Sequence, residues 1–286
     1  MISPRQGLGL LIIGGIGLWG LRDVSVGLIE ALRSSDYIFL EEYTSITPSF
    51  SKTELEKVVG RRIDLLKRVD LEGSHLREIL ELAKEHRVAI LTHGNPFVAT
   101  THAYIVSEAY RLGIPLEIYP APSVIDAILC STGLHVYKFG RIATLVYPDE
   151  RAGFFPYTTY RVLGDNLSRG LHTLLLLDLR VEEGVFMSIP EAASLLLRLE
   201  DKFRENIVEP TMLVIGVSRA LSPEEDIFIG TLEEATTLEK TSPPHSLVIP
   251  GVLHDTEIDF LHYKTGVRKE VLISWSDYVK RKLRST

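Results

Sequence analysis

The sequence contains very little cysteine, and this scarcity excludes several kinds of site. With Cys130 as its one cysteine, the chain has no intrachain disulfide and no cysteine-based metal centre. The neighbours of Cys130 are mostly apolar, so we expect a buried thiol on a helix rather than a nucleophile. Low cysteine usage also fits a protein that works in a reducing cytosol.

Long apolar runs and an excess of positive charge are missing as well. The run from Leu8 to Leu18, preceded by Arg5, resembles a signal peptide, but glycines interrupt it. It is also shorter than the roughly 20 residues that a membrane-spanning helix needs. The formal net charge of -7 disfavours nucleic acid as a partner, and we expect the basic cluster at 280–284 to be a solvated helix end. The sequence therefore predicts neither a membrane segment nor a nucleic-acid partner.

Several patterns that mark common enzyme classes are absent. There is no Gly-x-Ser-x-Gly, no recognisable Ser-His-Asp order and no phosphate-binding loop ending in Gly-Lys-Ser/Thr. His93 and His102 have no third ligand near them in sequence, so no metal site is predicted. Adjacent carboxylates such as Glu41-Glu42 are abundant, and most of these pairs are expected to be solvated charges at the ends of elements.

The composition and the order of elements predict an α/β protein with two domains. Hydrophobic residues make up 45% of the 286 residues, which is enough for a buried core. The first half alternates apolar strands with amphipathic helices, which predicts a parallel sheet covered on both faces. In the second half, Met212–Val217 and Asp226–Thr231 are close in sequence and favour antiparallel pairing. Pro120 to Ser123 is the best linker, so we predict domains at 1–120 and 121–286, with 147–156 as a second candidate boundary.

The first segment that could carry chemistry is glycine-rich and runs from Gly14 to Gly20, after an apolar strand. Glycine allows a ligand to approach the backbone closely. The spacing fits the Gly-x-Gly-x-x-Gly letters of a dinucleotide fingerprint, but Arg22-Asp23 delay the helix that should follow. Asp23 or Ser25 is available to cap that helix. The segment alone leaves open a nucleotide site and a simple glycine turn.

A second segment, His93 to His102, follows a strand predicted at Val88–Leu91 and opens a helix predicted at Thr101–Leu112. Open α/β sheets bind ligands at the carboxyl ends of their strands, which is where this segment lies. Thr100 or Thr101 is available as the helix cap. The alternative is an ordinary strand-to-helix turn.

Two further positions have both a structural and a functional interpretation. Ser123 either caps the helix predicted at Val124–Ser131 or contacts a ligand at the domain junction. His245 follows two prolines and precedes an apolar strand, so its backbone is held in a defined place. A surface turn would also explain that pattern.

Taken together, these segments resemble the diphthine synthase branch of the tetrapyrrole methylase superfamily. The matching segments are Ile13–Leu18 with Arg22–Ser25, Leu40–Ser45, Gly94–His102, Gly133–Gly140, His172–Asp178 and Pro243–His245. The Ala-Thr-Thr-His and Gly-Leu-His-Val-Tyr-Lys-Phe-Gly stretches are specific to this branch, whereas the glycine-rich opening is not. The resemblance runs from about Leu10 to about His254.

The resemblance implies a two-domain tetrapyrrole methylase-like fold that binds S-adenosylmethionine in a cleft between the domains, as a cytoplasmic homodimer. The implied substrate is the amino group of an aminocarboxypropyl arm on a histidine of elongation factor 2. A trimethylammonium product is expected of the archaeal type, which the lack of a long C-terminal extension favours here. The implied cofactor contacts are Leu18, Asn95, Val98, Ser123, Val124, Leu177, Ser218 and His245. No catalytic residue is implied.

One departure from the family pattern concerns the cofactor. The family usually has aspartate at the position of Asn95, and an amide both donates and accepts hydrogen bonds where a carboxylate only accepts. The strength of cofactor binding is therefore open. The remaining alternatives are methylation of a corrin or porphyrin precursor, a non-enzymatic module that docks on the translation factor, and a nicotinamide-dependent oxidoreductase.

Overall fold

The computed structural model describes residues 9–72 and 74–285, which fall into two compact units. The N-terminal unit comprises the chain up to Ile125 together with Arg180–Gly184, and the C-terminal unit comprises the remainder. The division therefore follows Ile125, whereas the sequence suggested a boundary after Pro120. Arg5 and Leu8, which begin the signal-like run, lie outside the described residues.

The N-terminal unit is built on a parallel sheet. Its strands are β1 (Leu10–Gly15), β2 (Tyr37–Glu41), β3 (Asp64–Leu66), β4 (Arg87–Thr92) and β5 (Leu116–Tyr119). Their order across the sheet is β3-β2-β4-β1-β5, and every neighbouring pair is parallel. This confirms the predicted parallel sheet and places the ends of β4, β1 and β5 side by side at one edge.

Helices cover both faces of this sheet, as predicted. The helices of the N-terminal unit are α1 (Val26–Arg33), α2 (Lys52–Val59), α3 (Arg68–Glu72), α4 (Ser74–Leu82) and α5 (Ala103–Arg111), and the next helix, α6 (Val124–Thr132), lies mostly in the C-terminal unit. Because side chains alternate along a strand, Leu11 and Ile13 of β1 pack with residues of α4 and α5, while Leu10 and Ile12 pack with residues of α1 and α2. Such burial on both faces explains why β1 is apolar without alternation.

The C-terminal unit contains a mixed sheet. The strands that follow are β6 (Ala143–Leu145), β7 (Thr173–Leu177), β8 (Leu179–Arg180), β9 (Val185–Phe186), β10 (Leu213–Ser218), β11 (Asp226–Thr231) and β12 (His245–Ile249). The main sheet has the order β11-β10-β12-β7-β6, and β8 pairs with β9 separately. The predicted antiparallel pairing of β10 with β11 is confirmed, and only the β6–β7 pair of the main sheet is parallel.

The helices of the second half include two that the sequence patterns missed. They are α7 (Tyr157–Leu167), α8 (Ile189–Phe203), α9 (Leu232–Ala235), α10 (Asp255–Thr265) and α11 (Lys269–Ser285). The missed helices are α7 and the short α9, and α7 follows directly on the segment that was considered as a second boundary. Within residues 9–72 and 74–285, no helix combines the length and the apolar character needed to cross a membrane.

The prediction of a buried Cys130 is wrong, because the thiol is exposed. The buried positions of α6 are Ala127, Ile128, Ser131 and Thr132, which lie on one side of the helix. At 3.6 residues per turn, Cys130 lies on the opposite side. The apolar neighbours of Cys130 in sequence are therefore not its neighbours in space.

A buried carboxylate ties together the C-terminal unit. Glu257 of α10 has a fully buried side chain that accepts hydrogen bonds from the Nε2 of His172 (3.1 Å) and the Nζ of Lys138 (2.9 Å). It also accepts from the backbone N–H groups of His135 and His254, both at 2.7 Å. Four donors thus surround one buried charge, and they connect the Gly133–Gly140 segment to β7 and α10.

This arrangement predicts a pH dependence of stability. Burial opposes the ionisation of Glu257, but its hydrogen bonds outweigh this effect and lower its pKa to about 2, from 4.5. The stabilisation is therefore fully present above about pH 4.5 and is lost as the pH falls towards 2. Over that window, we expect the unfolding free energy of the native chain to fall by on the order of 3 kcal/mol more than that of Glu257→Gln. Urea titrations of both proteins across the window check this, and parallel curves would contradict it.

Candidate functional site

The structure brings the N-terminal members of the predicted site together at one edge of the parallel sheet. Leu18 follows β1, Asn95 and Val98 follow β4, and Ser123 and Val124 follow β5, and these three strands are neighbours. The loops after β1 and β4 are joined directly, because Gly94 N–H donates to the Gly17 carbonyl at 2.9 Å and Gly17 N–H to the Gly94 carbonyl at 3.3 Å. The carboxyl edge of a parallel sheet is the usual ligand position in this class of fold.

The glycine-rich loop after β1 forms a turn closed by its own aspartate. The Oδ2 of Asp23 accepts hydrogen bonds from the backbone N–H groups of Leu18 and Trp19, both at 2.8 Å. The following α-helix begins only at Val26, where Ser25 caps it through the Leu28 N–H at 3.1 Å. A dinucleotide site would present such amides to the pyrophosphate at the start of a helix. Here the amides already have a carboxylate partner, so the loop does not match a dinucleotide site.

The loop after β4 is compact and internally bonded. The Pro96 carbonyl accepts from the Thr100 hydroxyl at 2.5 Å and from the Nδ1 of His102 at 3.2 Å. Ala99 lies in the left-handed region with φ +57°, a conformation that non-glycine residues adopt only where the surrounding structure imposes it. Thr100 and Thr101 do not cap α5, which begins at Ala103. The threonine-cap prediction is wrong because the Thr100 hydroxyl is used within the loop.

Asn95 links this loop to the segment after β5. Its Oδ1 accepts from the Phe97 N–H at 3.0 Å, and its Nδ2 donates to the Ala121 carbonyl at 3.0 Å. Because one partner is a donor and the other an acceptor, the orientation of the amide is determined by its contacts. An ionised aspartate could make the first bond but not the second.

We expect Asn95→Asp to lower the unfolding free energy by about 1–3 kcal/mol, since it places a carboxylate oxygen against the Ala121 carbonyl. Urea denaturation at neutral pH measures this effect. The control is Asn206→Asp, which changes an exposed asparagine whose side chain makes no hydrogen bond among the described residues. Equal stability of Asn95→Asp and the native chain would mean that the bond to Ala121 contributes nothing.

The C-terminal members of the predicted site also lie together, at one edge of the mixed sheet. Ser218, the last residue of β10, is the register partner of His245, the first residue of β12. Ser246 is in turn the partner of Leu176, so Leu177 at the end of β7 belongs to the same edge. All three predicted side chains are buried, with Ser218 at 1%, Leu177 at 7% and His245 at 8% exposed.

A threonine that the sequence did not single out connects two of these side chains. The hydroxyl of Thr241 lies 2.5 Å from that of Ser218 and 3.1 Å from the Nε2 of His245, which also lies 3.1 Å from the Thr241 carbonyl. Because a carbonyl only accepts, Nε2 carries the proton. The Nδ1 of His245 is buried without a partner at hydrogen-bond geometry among the described residues. Burial lowers the pKa of His245, so the ring is neutral at physiological pH.

Next to this edge lies a carboxylate with an unusually low pKa. Glu191 accepts from the Lys240 ammonium at 2.7 Å, the Ser188 hydroxyl at 2.6 Å and the Tyr147 hydroxyl at 3.1 Å. Burial opposes its ionisation, but these bonds lower the pKa of Glu191 to about 2. Tyr147, Glu191 and Lys240 also line an open cavity of about 410 Å³ in the C-terminal unit. The sequence offered no signal for this group, because its members are far apart in the chain.

Glu41 is an exception to the expectation that most carboxylate pairs are solvated, because this residue is fully buried. It ends β2, an inner strand of the sheet with β3 and β4 on either side, so its neighbours cover it. Glu42 is exposed, as predicted. Across residues 9–72 and 74–285, no group of three or more histidine, cysteine, aspartate or glutamate side chains is placed to hold a metal ion.

The chain is similar in sequence to proteins of known families. Residues 10–236 match the family model described as Tetrapyrrole (Corrin/Porphyrin) Methylases. A diphthine synthase from Staphylothermus marinus is 38% identical over 270 residues, which cover 93% of this chain and 98% of the relative. A diphthine synthase from Methanocaldococcus jannaschii is 36% identical over 256 residues, which cover 89% of this chain and 98% of the relative.

A crystal structure of a diphthine synthase superposes on this chain with a TM-score of 0.80. The two proteins are 33% identical in sequence, and the match covers 92% of this chain and 98% of the other. Likeness in sequence and in fold therefore extends over nearly the full length of both proteins. The α/β fold that the sequence predicted is confirmed by the same comparison. The chain belongs to the diphthine synthase family of tetrapyrrole methylases.

Proposed function

We propose that this protein uses S-adenosylmethionine to methylate the amino group of the modified histidine of elongation factor 2, in the formation of diphthine. The observation that carries the proposal is that the residues implied as cofactor contacts gather at one edge of each sheet. Leu18, Asn95, Val98, Ser123 and Val124 belong to the first edge, and Leu177, Ser218 and His245 to the second. The names of the relatives supply the substrate.

Each edge suits a ligand with both apolar and polar parts. The first edge offers the apolar side chains of Leu18 and Val98 beside Asn95 and Ser123, and the second offers Leu177 beside Ser218 and His245. When bound, S-adenosylmethionine supplies an electrophilic methyl group on a sulfonium. The internally bonded loops after β1 and β4 are suited to hold the two reactants in a fixed geometry, which is the main requirement of this displacement.

Isothermal titration with S-adenosylmethionine, and separately with NAD, tests the cofactor. We expect a heat of binding with S-adenosylmethionine and none with NAD. The backbone amides of the glycine-rich loop, which a dinucleotide would need, are already bonded to Asp23. Binding of NAD alone would favour the oxidoreductase alternative. If the chain binds neither S-adenosylmethionine nor NAD but still binds elongation factor 2, a non-enzymatic docking module is favoured.

The proposal extends to a homodimer that acts in the cytoplasm, where a translation factor is available. Sedimentation equilibrium of the purified chain tests the dimer, and a monomer at micromolar concentration would contradict it. The relatives' names favour a protein substrate over a corrin or porphyrin precursor. Parallel methyl-transfer assays with elongation factor 2 and with a carboxylated tetrapyrrole separate these two substrates.

A further inference from the structure

The buried carboxylate of Glu41 has an unusual environment. Its oxygens accept hydrogen bonds from the backbone N–H groups of Thr44 (3.0 Å) and Tyr43 (3.3 Å) and from the Thr44 hydroxyl. All three contacts are donors, so they fit the ionised form, which only accepts. The side chain is completely removed from solvent. A charged group is therefore held inside the N-terminal unit by neutral donors.

Glu41 has no counter-ion among the residues that the structure describes. Its negative charge acts on His93 and His102, but burial lowers the pKa of both imidazoles, so they are neutral near pH 7. The guanidinium of Arg68 lies over the Tyr43 ring at 5.1 Å and pairs with Glu182. A buried charge without a partner is costly, which makes its presence here a feature that needs a reason.

The position of Glu41 relates it to the loop that carries Asn95 and Val98. Glu41 ends β2, and β2 is the direct neighbour of β4 in the sheet. His93 and His102, the two imidazoles that experience its charge, flank that loop on either side. Because Leu40 is the register partner of Leu91, Glu41 lies beside the end of β4, where the loop begins.

The other carboxylates of this edge do not duplicate this charge. Asp23 is bonded to the glycine loop and lies 3.8 Å from the Arg22 guanidinium. Position 95, in the loop after β4, is an uncharged asparagine. Glu41 is thus a fully buried carboxylate beside this loop.

We propose that the buried charge of Glu41 makes the site selective for the sulfonium cation of S-adenosylmethionine over its neutral thioether product, S-adenosylhomocysteine. The proposal rests on the proposed function and adds a selectivity determinant to it. Glu41 acts through space as a positioning and electrostatic residue and does not need to touch the cofactor. Because the interaction runs through poorly solvated protein, it is screened less by salt than a surface charge would be.

The effect has a specific signature in binding. A carboxylate that only shapes the loop would alter the affinities for the cation and for the neutral product equally. A carboxylate that acts by its charge would alter their ratio. At an effective dielectric constant of about 20, one buried charge acting over about 12 Å changes such a ratio by on the order of tenfold.

The experiment is calorimetric titration of S-adenosylmethionine and of S-adenosylhomocysteine into the native chain, Glu41→Gln and Glu42→Gln. Glu42→Gln is the matched control, because it removes the same charge from the exposed neighbour. We expect the preference for the cation to fall about tenfold in Glu41→Gln and to stay unchanged in Glu42→Gln. Asn95→Asp, which adds a carboxylate to the same loop, should raise the preference.

Equal weakening of both ligands in Glu41→Gln would overturn the proposal and leave a purely structural role. The proposal would also be overturned if Glu41→Gln and Glu42→Gln changed the ratio of the two affinities equally. Such a result would mean that the overall charge of the protein, and not the buried position of Glu41, determines the preference. If Glu41→Gln does not fold, Asn95→Asp decides, and a ratio that does not rise there contradicts the proposal. A native chain that binds neither ligand refutes the proposed function itself, which is a different outcome from any of these.

Discussion

Gly15→Ala should weaken the binding of S-adenosylmethionine by a hundredfold or more. A Cβ at this position would lie 2.4 Å from the Gly94 carbonyl oxygen, 2.8 Å from the Ala121 Cβ and 3.0 Å from the Pro96 Cδ. These atoms belong to the loops after β4 and β5, and none is the end of a flexible side chain. The added methyl group must therefore push apart the three segments that carry the N-terminal members of the proposed site, and a displacement of about 1 Å can cost about a hundredfold.

The matched control for this variant is Gly27→Ala. Gly27 lies in α1, and its Cβ would meet only the edge of the Tyr119 ring, at 3.2 Å. Alanine is favoured over glycine in a helix by up to about 1 kcal/mol, so we expect unchanged binding and no loss of stability. Calorimetric titration of both variants makes the comparison. Native-like affinity in Gly15→Ala would show that the close packing at the ends of β1, β4 and β5 is irrelevant to the cofactor.

Glu257→Ala should lower the unfolding free energy by about 3–5 kcal/mol, the usual cost of removing one partner of a buried charged pair. The substitution leaves the Lys138 ammonium, the Nε2–H of His172 and two backbone N–H groups without their acceptor. His172 cannot adapt by moving its proton, because its Nδ1 already accepts from the Gly251 N–H at 2.8 Å. The loss is therefore not repaired locally.

Urea denaturation of Glu257→Ala and of Glu270→Ala measures this effect against a matched control. Glu270 is an exposed glutamate in the first turn of α11, and its carboxylate accepts no hydrogen bond from the residues that the structure describes. We expect less than about 1 kcal/mol for the control. If Glu257→Ala also lowered the unfolding free energy by less than about 1 kcal/mol, the stabilising role of the Glu257 network would be contradicted.

Much of the fold could be predicted from periodicity, because the pattern of burial follows directly from strand and helix geometry. The parallel sheet and its helices on both faces are examples, as is the strand Asp226–Thr231, whose bounds match the prediction. The helix α7 was missed although its buried residues Thr159, Tyr160 and Leu163 have helical spacing. The preceding segment, rich in proline, glycine and charge, had suggested a boundary there.

The environments of individual side chains were harder to predict, because they depend on which strands are neighbours. Glu41 ends a strand beside an exposed Glu42, and only the placement of β2 inside the sheet buries it. The hydrogen bond from Asn95 to Ala121 joins residues 26 positions apart. Thr241, between Ser218 and His245, has no distinguishing sequence context. The site residues themselves came from a family resemblance and not from periodicity.

Mass spectrometry of elongation factor 2 tests the central claim most directly. The factor, carrying the unmethylated aminocarboxypropyl arm on its histidine, is incubated with the purified chain and S-adenosylmethionine, then digested and fragmented. The account predicts methyl groups on the amino nitrogen of the arm, ending in the trimethylammonium product, and a far slower reaction when Gly15→Ala replaces the native chain at the same concentration of S-adenosylmethionine. An unmodified arm after incubation with native chain that binds S-adenosylmethionine, or methyl groups only on the carboxylate, would contradict it.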